Sequence, residues 1–476
     1  MPIRLYNSLS QSIEVLHPLH PGRVRMYTCG PTVHDRAHIG NFRSYLAEDL
    51  LRRHLEARGL QVEQVMNITD VDDKIIKKAM AKGVSLAEFT EPFIGAFFVD
   101  LELLQIEPAT HYPRATEHLE PMLALIERLV ENGHAYVSDG SVYFRLESFP
   151  SYGRLSRLDV SGLSAGASGR IDADEYEAKE AVRDFVLWKR AEEGDLASWP
   201  SPFGPGRPGW HLECSAMAME LLGDTLDIHC GGVDNKFPHH ENEIAQSEAA
   251  TGRPFVRLWF HVEHLLVEGG KMAKSLGNFV TLQTLLDRGH SPLAVRYHLL
   301  GNTHYRQRLH FREEDLVGAS ESLDRLATFW RRCAAAHDGE LATAGSGDPL
   351  TAAAQRARDR FEAALDEDLN LPLGLGSLHD LVREGNRLLD EGRAGGGGCG
   401  AALATLRAAD TRLAVIERAA VSEEPQLTAE EQRLLERREE ARRKGNFTKA
   451  DRIRDQMLEL GIVVEDTKEG ARWHRV

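Results

Sequence analysis

The chain has 476 residues, 42% of them hydrophobic and 27% charged, which is enough for about two to four domains with their own cores. Its net charge of −16 excludes a surface coated in basic residues for non-specific phosphate binding, but not a local basic face. No apolar stretch follows Met1-Pro2-Ile3-Arg4-Leu5-Tyr6-Asn7, no run of about 18 apolar residues occurs, and the five scattered cysteines form no CxxC pair, so the expectation is a soluble, cytoplasmic protein without membrane spans or disulfides.

In chain order, Val24, Met26 and Thr28 alternate as in a strand that stops at Cys29-Gly30-Pro31. Phe42, Leu46, Leu50, Leu51 and Leu55 then repeat with helical spacing up to Gly59, and Leu60, Val62 and Val65 begin another extended run. Strand, helix, strand in that order predicts a parallel α/β unit. The texture changes between Thr116 and Pro205, with a helix near Met122 to Val130, a strand at Ser141 to Phe144, and loops rich in Ser, Gly and Pro. This reads as an insertion, because strand-like sequence resumes at Thr225-Leu226-Asp227-Ile228-His229. Beyond Phe311 the leucines, from Leu323 to Leu413, predict a helical bundle broken at Gly345 to Pro349 and Gly395 to Gly398. After Glu423-Glu424-Pro425, helices at Glu430 to Lys444 and Lys449 to Leu458 form a small terminal module, and from Thr428 onward 12 Lys and Arg face 11 Asp and Glu.

Two stretches suit polyphosphate. His38-Ile39-Gly40-Asn41 lies where the first strand passes into the helix, so backbone N–H groups and the helix dipole face one pocket, although a cap and a tight turn would look the same. Gly269-Gly270-Lys271-Met272-Ala273-Lys274-Ser275-Leu276-Gly277-Asn278 places two lysines in a Gly-flanked loop able to close over a leaving group, or simply to sit in solvent. Together and in this order they resemble the paired signatures of class I aminoacyl-tRNA synthetases, which implies ATP chemistry on a Rossmann-type fold. There is no GxxxxGK[ST] loop to suggest a P-loop enzyme. The sequence departs from the family pattern in having Asn41 for the second histidine and Ala273 for a serine. Asn41 can donate a hydrogen bond to phosphate, but not from a cation.

A third stretch, Pro238-His239-His240-Glu241-Asn242-Glu243-Ile244, reads as a helix start that sets His239 and Glu243 four apart on one face. Ile244 stands where a zinc protease would need His, so HExxH chemistry is excluded. Cys29, at a strand's carboxyl end, and Cys214 are the best remaining donors for a shared ion, although on sequence alone each reads more readily as a small buried residue.

The stretches Met26-Tyr27-Thr28-Cys29-Gly30, Asn67-Ile68-Thr69-Asp70, Gly206 to Met217 and Asp227 to Ser247 resemble cysteinyl-tRNA synthetases, and the C-terminal Gly461 to Trp473 does too. The resemblance is weakest from Leu316 to Gln426. It implies one Zn²⁺ held by Cys29, Cys214, His239 and Glu243, with Thr69, Trp210 and Asp234 beside the amino acid and Cys230 outside the metal set. His38, Gly40, Asn41, Lys271 and Lys274 would handle ATP, with Mg²⁺ accompanying it, and of these His38, Asn41, Lys271 and Lys274 would act catalytically. The partners implied are ATP, L-cysteine and tRNA(Cys), with a monomer as the family's usual state. Zinc suits the task because serine and cysteine differ by one atom, and a pocket separates such neighbours by only about 10–200-fold, whereas zinc prefers a sulfur that readily loses its proton.

The expected organisation is a Rossmann catalytic domain in halves 1–115 and 206–270 around an inserted connective α/β subdomain 116–205. A lysine-loop and stem-contact region 271–315, a helical bundle 316–426 on the anticodon side, and an anticodon-binding module 427–476 follow. In that module Arg433, Arg437, Arg438, Arg442, Arg443 and Lys444 would form a basic stripe, and Trp473 would stack on a base. One rival is a ligase joining cysteine to an amino sugar, which would lack the module after Leu427. Another is a non-catalytic descendant of the fold, against which the lysine pair and the full ligand set count.

Overall fold

In a computed structural model the chain is described at residues 2–157, 183–192, 194–267, 270–272, 278–339, 348–421, 429–467 and 470–475. Two units emerge, residues 1–417 and 418–476.

The first unit is built on strands β1 (Arg23–Thr28) and β2 (Gln61–Met66), joined by helix α1 (Ile39–Ala57). Helix α2 (Trp210–Leu222), strand β3 (Leu226–Gly232), helix α3 (Glu241–Thr251) and strand β4 (Val256–Val262) complete the core. The four strands form a parallel sheet in the order β4-β3-β1-β2, with Tyr27 beside both Val65 and His229. Strand β1 therefore has a sequence-near neighbour on one edge and a distant one on the other, and the crevice beyond its carboxyl end is where such sheets bind ligands. The alternation read from Val24, Met26 and Thr28 reports their burial on β1. The spacing of Phe42, Leu46, Leu50, Leu51 and Leu55 reports the buried face of α1, each such side chain contributing about 1.5–3 kcal/mol.

The insertion is a helix (Leu119–Glu131) with a four-stranded antiparallel sheet, Ala135–Ser138, Ser141–Phe144, Phe185–Arg190 and Gly206–Pro208. Its last strand runs past the expected boundary at 205, because Pro208 pairs with Trp188, and a Cβ on Gly206 would lie 2.3 Å from the Trp188 indole nitrogen. The inserted sheet thus delivers the chain directly to the N-terminus of α2.

Helices Asp315–Gly339, Pro349–Asp366, Leu371–Asp390 and Gly396–Leu413 form the bundle, which packs in the same unit as the sheet. It is pinned to α1 by ion pairs: Asp366 accepts from Arg58 Nε at 2.8 Å and lies 3.1 Å from His54 Nε2. The buried Arg296 donates to Asp49 at 2.6 Å and to the carbonyls of Leu413 and Leu104.

Glu48, next to the paired Asp49, is 1% exposed, and neither carboxylate oxygen has a hydrogen-bond partner among the described residues. Burial pushes its carboxyl up to about 8 from 4.5. The native state therefore holds an extra proton between those values, and stability from this group falls as pH rises through that window. The stabilisation of Glu48→Gln relative to the parent should accordingly be larger at pH 8 than at pH 5, by roughly 3 kcal/mol. Denaturant melts of both proteins at the two pH values test this, and a difference independent of pH would contradict it.

The second unit contains helices Ala429–Arg443 and Phe447–Glu459 and an antiparallel hairpin of Ile462–Thr467 with Gly470–Arg475. Ile453, Met457, Ile462 and Val464 form its core. Of the expected basic stripe, Arg433, Arg437, Arg443 and Lys444 are exposed and Arg442 is half-buried, but Arg438 is 1% exposed and cannot belong to it. A residue one position from the exposed face points inward on a helix, which a count of charges does not reveal. Trp473 lies on the second hairpin strand, and its side chain is outside the described residues.

Candidate functional site

A cavity of 1260 Å³ opens at the carboxyl ends of β1 and β3. Cys29, His38, Gly40, Asn41, Thr69, Trp210, Cys214, Asp234 and His239 all line it. Sequence-distant residues meet here because α1, α2 and α3 each follow a strand end.

His38 caps α1: its Nδ1 accepts from the Asn41 N–H and its own N–H donates to Asn41 Oδ1, both at 3.1 Å. The cap and the functional reading therefore coexist, since the box spends Asn41 Oδ1 and leaves the amide Nδ2 as the donor. A Cβ on Gly40 would sit 2.8 Å from Met272 Cε, so glycine is what lets the lysine loop's flank approach. On the far flank, Ile39 N–H donates to Val280 O at 3.0 Å and Phe279 stands edge-on to His38, with ring centres 5.4 Å apart. Lys271 is on a short strand, Gly270–Lys271, paired with Leu266. Lys274 lies outside the described residues.

At the metal set, one donor atom each from Cys29, Cys214, His239 and Glu243 lies within 4.8 Å of all the others. Cys29 follows β1 directly, held where Gly30 crosses the chain at Asn67 so closely that a Cβ would lie 1.7 Å from the Asn67 carbonyl oxygen. Cys214 is on α2. The short turn Lys236–His240, with a cis Phe237–Pro238 peptide, precedes α3, so the helix begins later than Pro238 suggested, yet His239 Nε2 still lies 3.1 Å from Glu243 Oε1.

Glu243 is fully buried, and its Oε1 has no aligned hydrogen-bond donor. In a tetrahedral site with zinc bonds of about 2.0–2.3 Å, neighbouring donors stand roughly 3.3–3.8 Å apart, and the 3.1 Å between His239 Nε2 and Glu243 Oε1, with no aligned hydrogen bond between them, is close to that spacing. The protonation preferences point the same way. The Cys29 thiol is pushed well above its usual range by its hydrogen bond with Cys214, by burial, and by the charges of Cys214 and Glu243. Cys214 is lowered by that hydrogen bond but raised on balance by burial and Glu243, and burial raises Glu243 itself. Four acidic or basic donors packed this tightly want a cation, and two sulfurs, an imidazole and a carboxylate suit zinc.

A second grouping, Cys29, His229, His240 and Glu243, is equally compact. Within it His229 Nε2 lies 2.9 Å from Glu243 Oε2 and His240 Nε2 lies 3.3 Å from Cys29 Sγ, while the other ring nitrogen of His240 is taken up by His261 at 2.8 Å. Neither His229 nor His240 lines the cavity, whereas Cys29, Cys214 and His239 do. These histidines therefore serve as the hydrogen-bonded backing of the first set. Sequence reading missed them, the available signal being the concentration of His229, His239, His240 and His261 in one stretch.

Trp210 stacks on His239, ring centres 4.3 Å apart, and fixes the plane of that imidazole. Thr69 is buried between Asn67 Nδ2 and Glu213 Oε2, each at 3.1 Å, and Asp234 is exposed at the cavity edge. Cys230 is fully buried on β3 and joins neither group.

Comparisons with known proteins agree across the chain. Residues 15–321 match the tRNA synthetases class I (C) catalytic domain, 360–415 a DALR domain, and 424–473 the cysteinyl-tRNA ligase anticodon binding domain. The chain is 47% identical over 475 residues to a cysteine--tRNA ligase of Solibacter usitatus, covering all of both chains. It is 49% identical over 471 residues to one of Chlamydia pneumoniae, covering 98% and 97%. Among solved structures, Mycobacterium tuberculosis methionyl-tRNA synthetase with methionyl-adenylate superposes with a TM-score of 0.63 at 17% identity, over 84% of this chain and 92% of that one, a likeness of fold.

Proposed function

Since the chain belongs to the cysteine--tRNA ligase family, we propose that it activates L-cysteine with ATP, transfers it to the 3′ end of tRNA(Cys), and selects cysteine through zinc. The observation that carries the last point is the opening of Cys29, Cys214 and His239, with Glu243 behind them, onto the cavity shared with His38 and Asn41.

In the first step the cysteine carboxylate, ionised at neutral pH, attacks the α-phosphorus of ATP and the bond to pyrophosphate breaks, so no general base is needed. His38, Gly40 and Asn41 hold phosphate oxygens at the start of α1, with Mg²⁺ accompanying the nucleotide. Lys271 and Lys274 close over the departing pyrophosphate and stabilise the charge that develops on it. Cys29, Cys214, His239 and Glu243 would hold zinc, which when bound supplies a cation that favours a thiolate over an alcohol. Thr69, Trp210 and Asp234 orient the rest of the amino acid. In the second step a terminal ribose hydroxyl of tRNA attacks the acyl carbon and AMP leaves. The bundle and the C-terminal module carry the RNA on the anticodon side.

The test is amino-acid-dependent ATP–pyrophosphate exchange with cysteine and with serine, before and after chelation, followed by charging of tRNA(Cys). Serine should drive exchange at least about 10³-fold less well than cysteine, and chelation should abolish the cysteine signal. Equal use of serine would refute zinc selection, and exchange without charging would favour the amino-sugar ligase.

A further inference from the structure

The cavity is larger than the roughly 300–1,000 Å³ of an ordinary small-molecule site, and part of its wall serves none of the groups assigned above. That part is the helix Asp73–Lys82, capped at its N-terminus by Asp72, which accepts from Ile75 N–H at 2.8 Å. Ile75, Ile76 and Ala79 are its buried face. Lys74, Lys77 and Lys78 are exposed, and all three line the cavity.

The acidic residues nearby are already committed. Asp73 pairs with Arg207 at 2.5 Å and with Lys189 at 3.8 Å, and Asp72 is occupied as the cap. Lys78 donates to the His34 carbonyl at 2.9 Å and lies 3.5 Å from Asp35. Lys74 and Lys77 have no hydrogen-bond or ion-pair partner among the described residues. The positive charge of this helix reaches inward: His34, also on the cavity wall, is held below its usual range by burial first, then by Lys78, with Lys74 adding to it against the opposing charges of Asp72 and Asp35. Lys74 and Lys77 thus face the cavity without a paired carboxylate among the described residues, on a chain of net charge −16.

A polyanion other than ATP must enter this cavity during transfer. Lysine is a flexible point charge that follows a phosphate backbone without reading bases. We propose that Lys74 and Lys77 bind phosphates of the single-stranded 3′ end of the acceptor RNA and guide it to the adenylate. This rests on the ligase reading above and names residues for its second substrate.

The test compares the full-length parent with the Lys74→Glu, Lys77→Glu double variant and with the arginine pair at the same positions. Both positions are exposed, and thermal melts verify folding. The glutamate variant should keep kcat and KM for cysteine-dependent exchange within about twofold but lose about tenfold in kcat/KM for tRNA, mostly through KM. Its salt dependence should be shallower by about 0.7 in log–log slope for each phosphate no longer neutralised. The arginine variant should charge normally. Transfer unaffected by charge reversal would overturn the proposal alone, as would an equal fall in exchange, which would assign the lysines to ATP. A parent that exchanges but cannot charge tRNA would refute the ligase reading itself and this proposal with it.

Discussion

Cys214→Ser is expected to release the bound metal and to lower cysteine-dependent exchange by at least about 10³-fold, well beyond the 10–100-fold typical of losing a residue that merely supports a ligand. Cys214 is 1% exposed on α2, and serine differs little in volume, so the fold should survive. Serine's hydroxyl keeps its proton near neutrality, whereas a thiol near pKa 8.5 gives its proton up to zinc. Cys230→Ser provides the contrast, because Cys230 is just as buried yet belongs to neither donor group, and it should retain both metal and activity. Elemental analysis beside exchange kinetics decides the matter. A Cys214→Ser enzyme with full zinc and an unchanged preference for cysteine would remove the basis for metal selection.

The second large effect is expected at Lys274. Lys274→Ala should reduce kcat for exchange by about 10²–10³ while KM for cysteine and ATP moves only a fewfold, as for a group that acts chiefly on charge developing in the transition state. The described flanks of its loop are docked beside the start of α1, with Met272 close to Gly40 and Val280 O accepting from Ile39 N–H. Asn41 offers an amide where the family pattern has a second histidine, which on this account would leave more of the charge stabilisation to the lysines. Lys274→Arg should recover part of the rate. A rise in KM with kcat preserved would show that the lysine binds ATP uniformly and does not act in the transition state.

What was legible in the sequence was what local physics governs. The periodicity of Phe42 to Leu55 marked α1, the alternation in Val24 to Thr28 marked β1, and the four-residue step from His239 to Glu243 placed two donors together. Cys29 and Cys214 could be joined to that pair only by resemblance, since no spacing rule connects residues on different elements. Long-range pairing was not legible: nothing near Thr28 announces Cys230 as its neighbour across the sheet. The same blindness hid the His229, His240 and His261 backing, the pairing of Gly206–Pro208 with the inserted sheet, and the inward-facing Arg438. Each is decided by tertiary packing, which overrides local pattern.

X-ray absorption at the zinc edge, on the enzyme with and without L-cysteine, tests the recognition step most directly. On this account Cys29 and Cys214 would supply two sulfurs to zinc in the cysteine-free enzyme. Cysteine should add a third at about 2.3 Å, and serine should leave the sulfur count unchanged. An enzyme saturated with cysteine that still shows only its own two sulfurs would contradict zinc as the discriminating element.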